Sequence, residues 1–229
     1  MLSILRNILG LFYPFSCVVC QENLIKDEKY ICLHCILKLP KTNYHLQASN
    51  IALDRLENKI PCQKASAYLY YSKDGDTSKI IQSIKYKENT RLAYWMGDYM
   101  GRDMIKSDFF EHIDFLVPIP LHESKFKKRG FNQAEEICKG LAMATGIPIE
   151  SECLFRKIAN PTQTKKDSFE RWINTRGIFE VRNKTMYRNK HILLFDDVLT
   201  TGATLEAAVI ALKQVPGIKI SVLSLAISS

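Results

Sequence analysis

One stretch limits this chain more than any other: Ile192 to Thr204, reading ILLFDDVLTTGAT. Four apolar residues run into two adjacent carboxylates, Asp196 and Asp197, and a small, hydroxyl-rich turn follows, Thr200-Thr201-Gly202-Ala203-Thr204. A short apolar run without alternation, bounded by turn residues, predicts a buried strand of a parallel sheet. Leu205, Ala208, Val209 and Leu212 then recur at helical spacing. The unit is strand, loop, helix, and its loop lies at the carboxyl end of the strand, where open α/β sheets bind ligands. Glycine lets backbone N–H groups point inward and a helix N-terminus adds partial positive charge, so the turn suits a phosphate. The two aspartates cannot face that phosphate without repulsion; they call for hydroxyls or a divalent cation. The ligand deduced this way has a phosphate at one end and a diol at the other, the shape of a ribose 5-phosphate unit. An ordinary polar loop accounts for one aspartate or one glycine, but not for the whole string. There is no GK[ST] of a Walker loop and no GxGxxG of a dinucleotide fingerprint.

The rest of the chain bounds what surrounds this unit. Its 229 residues allow one large domain, or one domain with a small appendage. The balance of 32 basic against 24 acidic residues leaves +8, which permits a nucleic acid or polyphosphate partner without demanding one. A solvated basic surface explains that charge equally well. No run reaches the roughly 18 apolar residues of a membrane span. Leu2, Leu5, Leu9 and Phe12 predict a short amphipathic helix. Packing on its own protein is the favoured role for it, with peripheral membrane or partner contact as the alternative. Basic leader and small-residue cleavage site are both missing, so this is not read as a signal peptide. Seven cysteines, an odd number with four clustered early, suit a reducing, cytoplasmic setting rather than a disulfide framework.

Those four form two CxxC knuckles, Cys17/Cys20 and Cys32/Cys35, eleven residues apart. Four thiolates so spaced can close a tetrahedron around structural zinc, with the intervening segment as a two-strand zinc ribbon. The alternative, two redox pairs, lacks a surrounding thioredoxin-like βαβ pattern. Residues 36–61 are hard to read. From Ala65 the pattern becomes regular: a strand to Tyr71, a helix from Thr77 to Lys85, and a helix from Thr90 to Ile105. A strand over Ile113–Ile119 and a helix reaching Ala144 follow. Short strands near Cys153–Phe155 and Ile178–Val181 come next, then the opening unit and a last strand over Ile220–Ile227. Such alternation predicts an α/β fold: a mostly parallel sheet with helices on both faces. The expected organisation is an N-terminal helix and zinc-ribbon module over residues 1–60 and a ligand-binding domain over 61–229.

A second constellation lies between these elements. The basic run Lys125-Phe-Lys-Lys128-Arg129 leads into Gly130-Phe-Asn-Gln133, and a long polar stretch runs from Arg156 to Arg176. Read blandly, these are a solvated charge run and a surface loop. Read functionally, they supply cations opposite the diol site.

ILLFDDVLTTGAT closely resembles the 5-phosphoribosyl-1-pyrophosphate (PRPP) signature of type I phosphoribosyltransferases. PIPLH at Pro118–His122, KFKKRGFNQ at Lys125–Gln133, Lys85-Tyr-Lys87, Thr162-Gln163 and Arg171-Trp-Ile-Asn174 resemble the ComF/GntX family. That family joins a zinc-binding module to a type I phosphoribosyltransferase domain, and the likeness spans nearly the whole chain. It implies that Asp196 and Asp197 hold the ribose and a Mg²⁺ ion, and that Thr200, Thr201, Gly202, Ala203 and Thr204 hold the 5-phosphate. Lys125, Lys128, Arg129, Arg156 and Arg171 then lie on the pyrophosphate side, and Arg156–Asn174 matches a loop covering the substrate. It also implies a role in natural competence, with single-stranded DNA and other competence proteins as partners. Three readings follow: a phosphoribosyltransferase (including a salvage-type one), a DNA-handling module using exposed Phe126 and Phe131 for stacking, and a PRPP-sensing adaptor without catalysis. No catalytic residue or general base stands out.

Overall fold

The computed structural model describes residues 16–57, 59–86, 89–157 and 177–228. The expected N-terminal helix, Thr162, Gln163, Arg171 and most of the predicted covering loop lie outside these residues. The sheet has four parallel strands in the order β1-β6-β5-β2, with β1 Ala65–Tyr71, β2 Phe115–Pro118, β5 His191–Leu199 and β6 Lys219–Ser228. Central β5 reads as its composition requires, with Ile192, Leu193, Leu194 and Phe195 all fully buried. Its alternation splits them: Leu193 and Phe195 join the apolar cluster on one face, Ile192 and Leu194 the cluster on the other.

Both edges of the sheet are covered, which blocks edge-to-edge pairing. Along β1, Thr42 N–H donates to the Tyr68 carbonyl and Tyr70 N–H to the Pro40 carbonyl, at 3.0 and 2.8 Å. Along β2, Leu116 N–H donates to the Pro148 carbonyl, at 2.9 Å.

Ahead of the sheet come α1 (Leu33–Leu37) and α2 (Ile51–Glu57). One face of the sheet carries α3 (Asp76–Tyr86), α4 (Thr90–Met104) and α6 (Gln133–Thr145). The other carries α2 and α7 (Ala203–Leu212). Helices α4 and α6 cross at backbone contact. A Cβ on Gly97 would lie 1.9 Å from the Ile137 carbonyl oxygen, and one on Gly140 would lie 1.9 Å from that of Tyr94. Neither obstacle is a side chain that can swing aside. Gly140→Ala is therefore expected to push the helices apart and destabilise the protein by about 2–4 kcal/mol. A denaturant midpoint unchanged from wild type would contradict this.

Three expectations change. The segment between the cysteine pairs forms no two-stranded ribbon: an isolated bridge, Ser16 to Asn23, precedes a turn, and α1 carries the second knuckle. Strands β3 (Leu154–Arg156) and β4 (Phe179–Val181) form a separate antiparallel pair rather than joining the sheet. The basic run, left without assigned structure in the sequence, is itself a helix, α5 (Glu123–Arg129), started by the His122 ring accepting the Ser124 N–H and stopped by left-handed Gly130. Charge dominates its composition, and that hides the helical signal. Among the described residues no helix is long and apolar enough to cross a membrane.

Candidate ligand site at the sheet edge and the four-cysteine cluster

At the carboxyl end of β5 the alternation of the strand separates the two acids. Asp197 turns toward α3, where Lys85 Nζ meets its Oδ2 at 2.7 Å. Asp196 lines a hollow of about 30 Å³ together with Val198, Leu199 and residues 200–205. The two remain linked, because Asp197 N–H donates to Asp196 Oδ1 at 2.9 Å.

Burial, then the neighbouring Asp197 charge, pushes the Asp196 carboxyl up to about 7, against the opposing pull of the Asp197 N–H, Lys85 and Arg156. The folded value lies above the ordinary 3.8, so between the two the folded chain binds more protons than the unfolded one. Stability from this group is thus fullest below about pH 4 and is lost as pH rises toward 7. Asp196→Asn removes the titration. Its unfolding temperature is expected to exceed that of wild type at about pH 8, with the gap closing toward pH 5. Parallel curves across that range would show that the carboxyl is not so held.

The hollow is shaped by helix α2 and the turn after it, within the segment over residues 36–61. Arg55 Nη1 donates to the carbonyls of Thr200 and Ser228, at 2.9 and 2.6 Å, and Lys59 donates to the Thr201 carbonyl. In a trans peptide N–H and C=O point opposite ways. Holding these two carbonyls toward Arg55 and Lys59 therefore aims the N–H groups of Thr201 and Gly202 away from those side chains, and both residues line the hollow. Neither N–H meets an acceptor among the described residues. Gly202 is required twice over: its φ is +80°, and a Cβ there would lie 2.8 Å from Leu56 Cδ2. Helix α7 begins at the next residue and brings the positive end of its dipole to the same place.

Cations complete the surround. Arg156 is buried, with its guanidinium 5.4 Å from the Phe179 ring. Burial lowers its pKa and Asp196 opposes that. Lys125 is lowered by desolvation of its ammonium and then by Arg156, Arg129 and Lys85, with Asp197 opposing. One pocket of field therefore joins Lys85, Lys125, Arg129, Arg156 and the two acids. Arg129 is braced by Gln133 Oε1 at 2.9 Å. Lys128 is exposed and makes no hydrogen bond or ion pair among the described residues. Phe126 is exposed, but Phe131 is buried in the core, so it offers no stacking surface. Sequence reasoning missed Lys85 as a site residue, although Lys85-Tyr-Lys87 marked a helix end. It also missed Arg55 and Lys59, for which no local pattern exists.

The four cysteines of the N-terminal part meet as expected. Their Sγ atoms all lie within 4.8 Å of one another, and Cys20 and Cys32 are 3.7 Å apart. Four sulfurs about 2.3 Å from a tetrahedral zinc stand about 3.8 Å apart, so the set fits that ion. Cys17 Sγ accepts the N–H groups of Val19 and Cys32, each at 3.4 Å. Burial works to raise that thiol, but backbone N–H groups of Cys20, Cys32 and Val19 outweigh it and bring it to about 7. Thiolate character is what metal binding needs.

The chain is similar to several known proteins. The "Phosphoribosyl transferase domain" family matches residues 126–226. The DNA utilization protein YhgH of Escherichia coli is 25% identical over 191 residues, 82% of this chain and 79% of its own length. Competence protein ComFC of Bacillus subtilis is 26% identical over 223 residues, 87% of this chain and 89% of its own. The adenine phosphoribosyltransferase of Leishmania tarentolae superposes with a TM-score of 0.38 at 14% identity, over 82% of this chain and 94% of that one.

Proposed function

This chain is a ComF-family protein carrying a phosphoribosyltransferase-type fold, and on that premise we propose that its sheet-edge site binds PRPP as the Mg²⁺ complex. The observation that carries the reading is the placement of adjacent Asp196 and Asp197 beside a hollow lined by Thr201 and Gly202, whose N–H groups meet no acceptor among the described residues. The 5-phosphate sits in the hollow at Thr200–Thr204. The ribose hydroxyls and Mg²⁺ lie against the acids, whose hard oxygens suit that ion. Mg²⁺ supplies charge compensation for the phosphates when bound. Asp197 is now held by Lys85, so ligand binding exchanges that ion pair for contacts to diol or metal. The pyrophosphate lies toward Lys125, Arg129 and Arg156, while Lys128 and Arg171 enter through the family motif alone. Paired carboxylates and a cluster of cations would otherwise be an electrostatic cost without purpose.

The names of the relatives, a DNA utilization protein and a competence protein, support a setting in competence and DNA use; within it we place single-stranded DNA and other competence proteins as partners and the cytoplasm as the location. Whether the bound PRPP is consumed is decided at the acceptor. Among the described residues, the polar partners around the acids are cations and the Asp197 N–H, and none of these is a general base. The test is thermal protection by Mg²⁺-PRPP and by ribose 5-phosphate, followed by pyrophosphate release in the presence of each nucleobase. Protection with release supports phosphoribosyl transfer, and protection without release supports a PRPP sensor. Absence of protection by either ligand overturns the site.

A further inference from the structure

A second cleft lies apart from this site. It measures about 370 Å³ and lies where the four-cysteine part meets α4 and α6. That volume falls within the range of small-ligand pockets. Its walls are Lys29 and Tyr30 from the segment between the cysteine pairs, Arg91, Tyr94, Trp95 and Asp98 from α4, and Glu136 from α6.

Three features together limit what it accepts. The first is a fixed aromatic wall. Trp95 stacks on Tyr99 at 5.4 Å and 12°, and Tyr30 leans on Trp95 at 5.9 Å and 58°. Tyr94 stands beside them with 39% of its surface open. The stack holds Trp95, and the glycine-mediated contact of α4 with α6 holds the helix that carries it, so the wall is formed before a ligand arrives.

Charge is the second. Both acids of the cleft are already compensated: Asp98 by Arg102 at 2.9 Å and Glu136 by Lys139 at 2.7 Å. Lys29 and Arg91 have no ion-pair partner among the described residues. The cleft is therefore cationic in net effect. Third, the rings and cations occupy one opening, so a single ligand must satisfy both. A flat ring system joined to a phosphate does so: the ring lies on the aromatic wall and the phosphate meets Lys29 and Arg91.

We propose that this cleft binds a nucleoside phosphate unit, either free or within a single strand. The inference does not depend on PRPP. The test uses the full-length chain, with dTMP and a fluorescent oligo(dT) of about ten residues as probes. Trp172→Phe leaves Trp95 as the chain's tryptophan. Binding is expected to quench Trp95 emission. Lys29→Glu and Arg91→Glu are each expected to weaken binding about tenfold and to reduce its salt dependence, while protection by Mg²⁺-PRPP is unchanged. Tyr94→Ala, at a half-open surface position, is expected to weaken it several-fold. Binding to oligo(dT) alone assigns the site to a strand, and equal binding of dTMP per site assigns it to free nucleotide. The proposal is overturned if neither probe quenches Trp95, or if binding survives both charge reversals. Binding that disappears with Asp196→Asn/Asp197→Asn but not with Arg91→Glu also overturns it, since that would place the probe in the PRPP site.

Discussion

Asp196→Asn/Asp197→Asn is expected to erase the thermal protection that Mg²⁺-PRPP gives the wild-type chain. At a ligand concentration about a hundred times Kd, binding to the folded state alone adds about 2.7 kcal/mol, or roughly 5–10 °C in unfolding temperature for a chain of this size. Asparagine keeps the shape of each side chain but removes the charge that Mg²⁺ and ribose hydroxyls require. The variant is not expected to unfold. Burying the Asp196 charge carries a cost at about pH 8 that its substitution removes, whereas Asp197→Asn breaks the ion pair to Lys85, so the unliganded double variant is expected to stay folded with stability near that of wild type. Retained folding with lost ligand response separates a binding defect from a folding defect. Full protection of the double variant would reject the assignment of both acids.

The second large effect concerns the cysteines. Elemental analysis is expected to find about one zinc per chain. Cys35→Ser is expected to lose the metal and a large share of the thermal stability, because structural zinc contributes folding free energy directly, about 10–16 kcal/mol of binding in small modules. The damage should not stay local. Cys17, Val19, Ile31 and Cys35 belong to the same apolar cluster as Leu39, Tyr68, Ile84 and Met96, and Tyr30 rests on Trp95. Loss of the metal should therefore expose Trp95, visible as a red shift of its emission in the Trp172→Phe background. Far less than one zinc per chain, with normal stability, would reject the metal site.

Several features of this protein are carried by short-range pattern. The apolar run before Asp196 predicts a buried parallel strand because only a strand covered on both faces can dispense with alternation. The acids, the threonine-glycine turn and the helix after it are contiguous, so their chemistry can be read from thirteen residues. The spacing of the cysteine knuckles likewise announces four ligands. Composition defeated the reading elsewhere. Glu123–Arg129 is helical, yet six of its seven residues are polar or charged, and none of its positions is buried. Without an apolar stripe, helical periodicity has nothing to display. β3 and β4 look like any short strands, and their antiparallel pairing depends on which neighbour lies within reach.

By itself, then, the sequence determined the sheet's central strand, the paired acids with the turn after them, and the clustering of the four cysteines, because each depends on residues close together in the chain. Tertiary structure decided the rest. It brought Arg55 of α2 and Lys59 of the turn after it onto carbonyls more than a hundred residues away, which orients the N–H groups of the threonine-glycine turn. It placed Lys85 on Asp197 and gathered Lys125, Arg129 and Arg156 around them. It set Lys29 and Tyr30 opposite Arg91 and Trp95 to make a second cleft. Electrostatic and packing energies depend on distance in space, and distance along the chain carries no record of it.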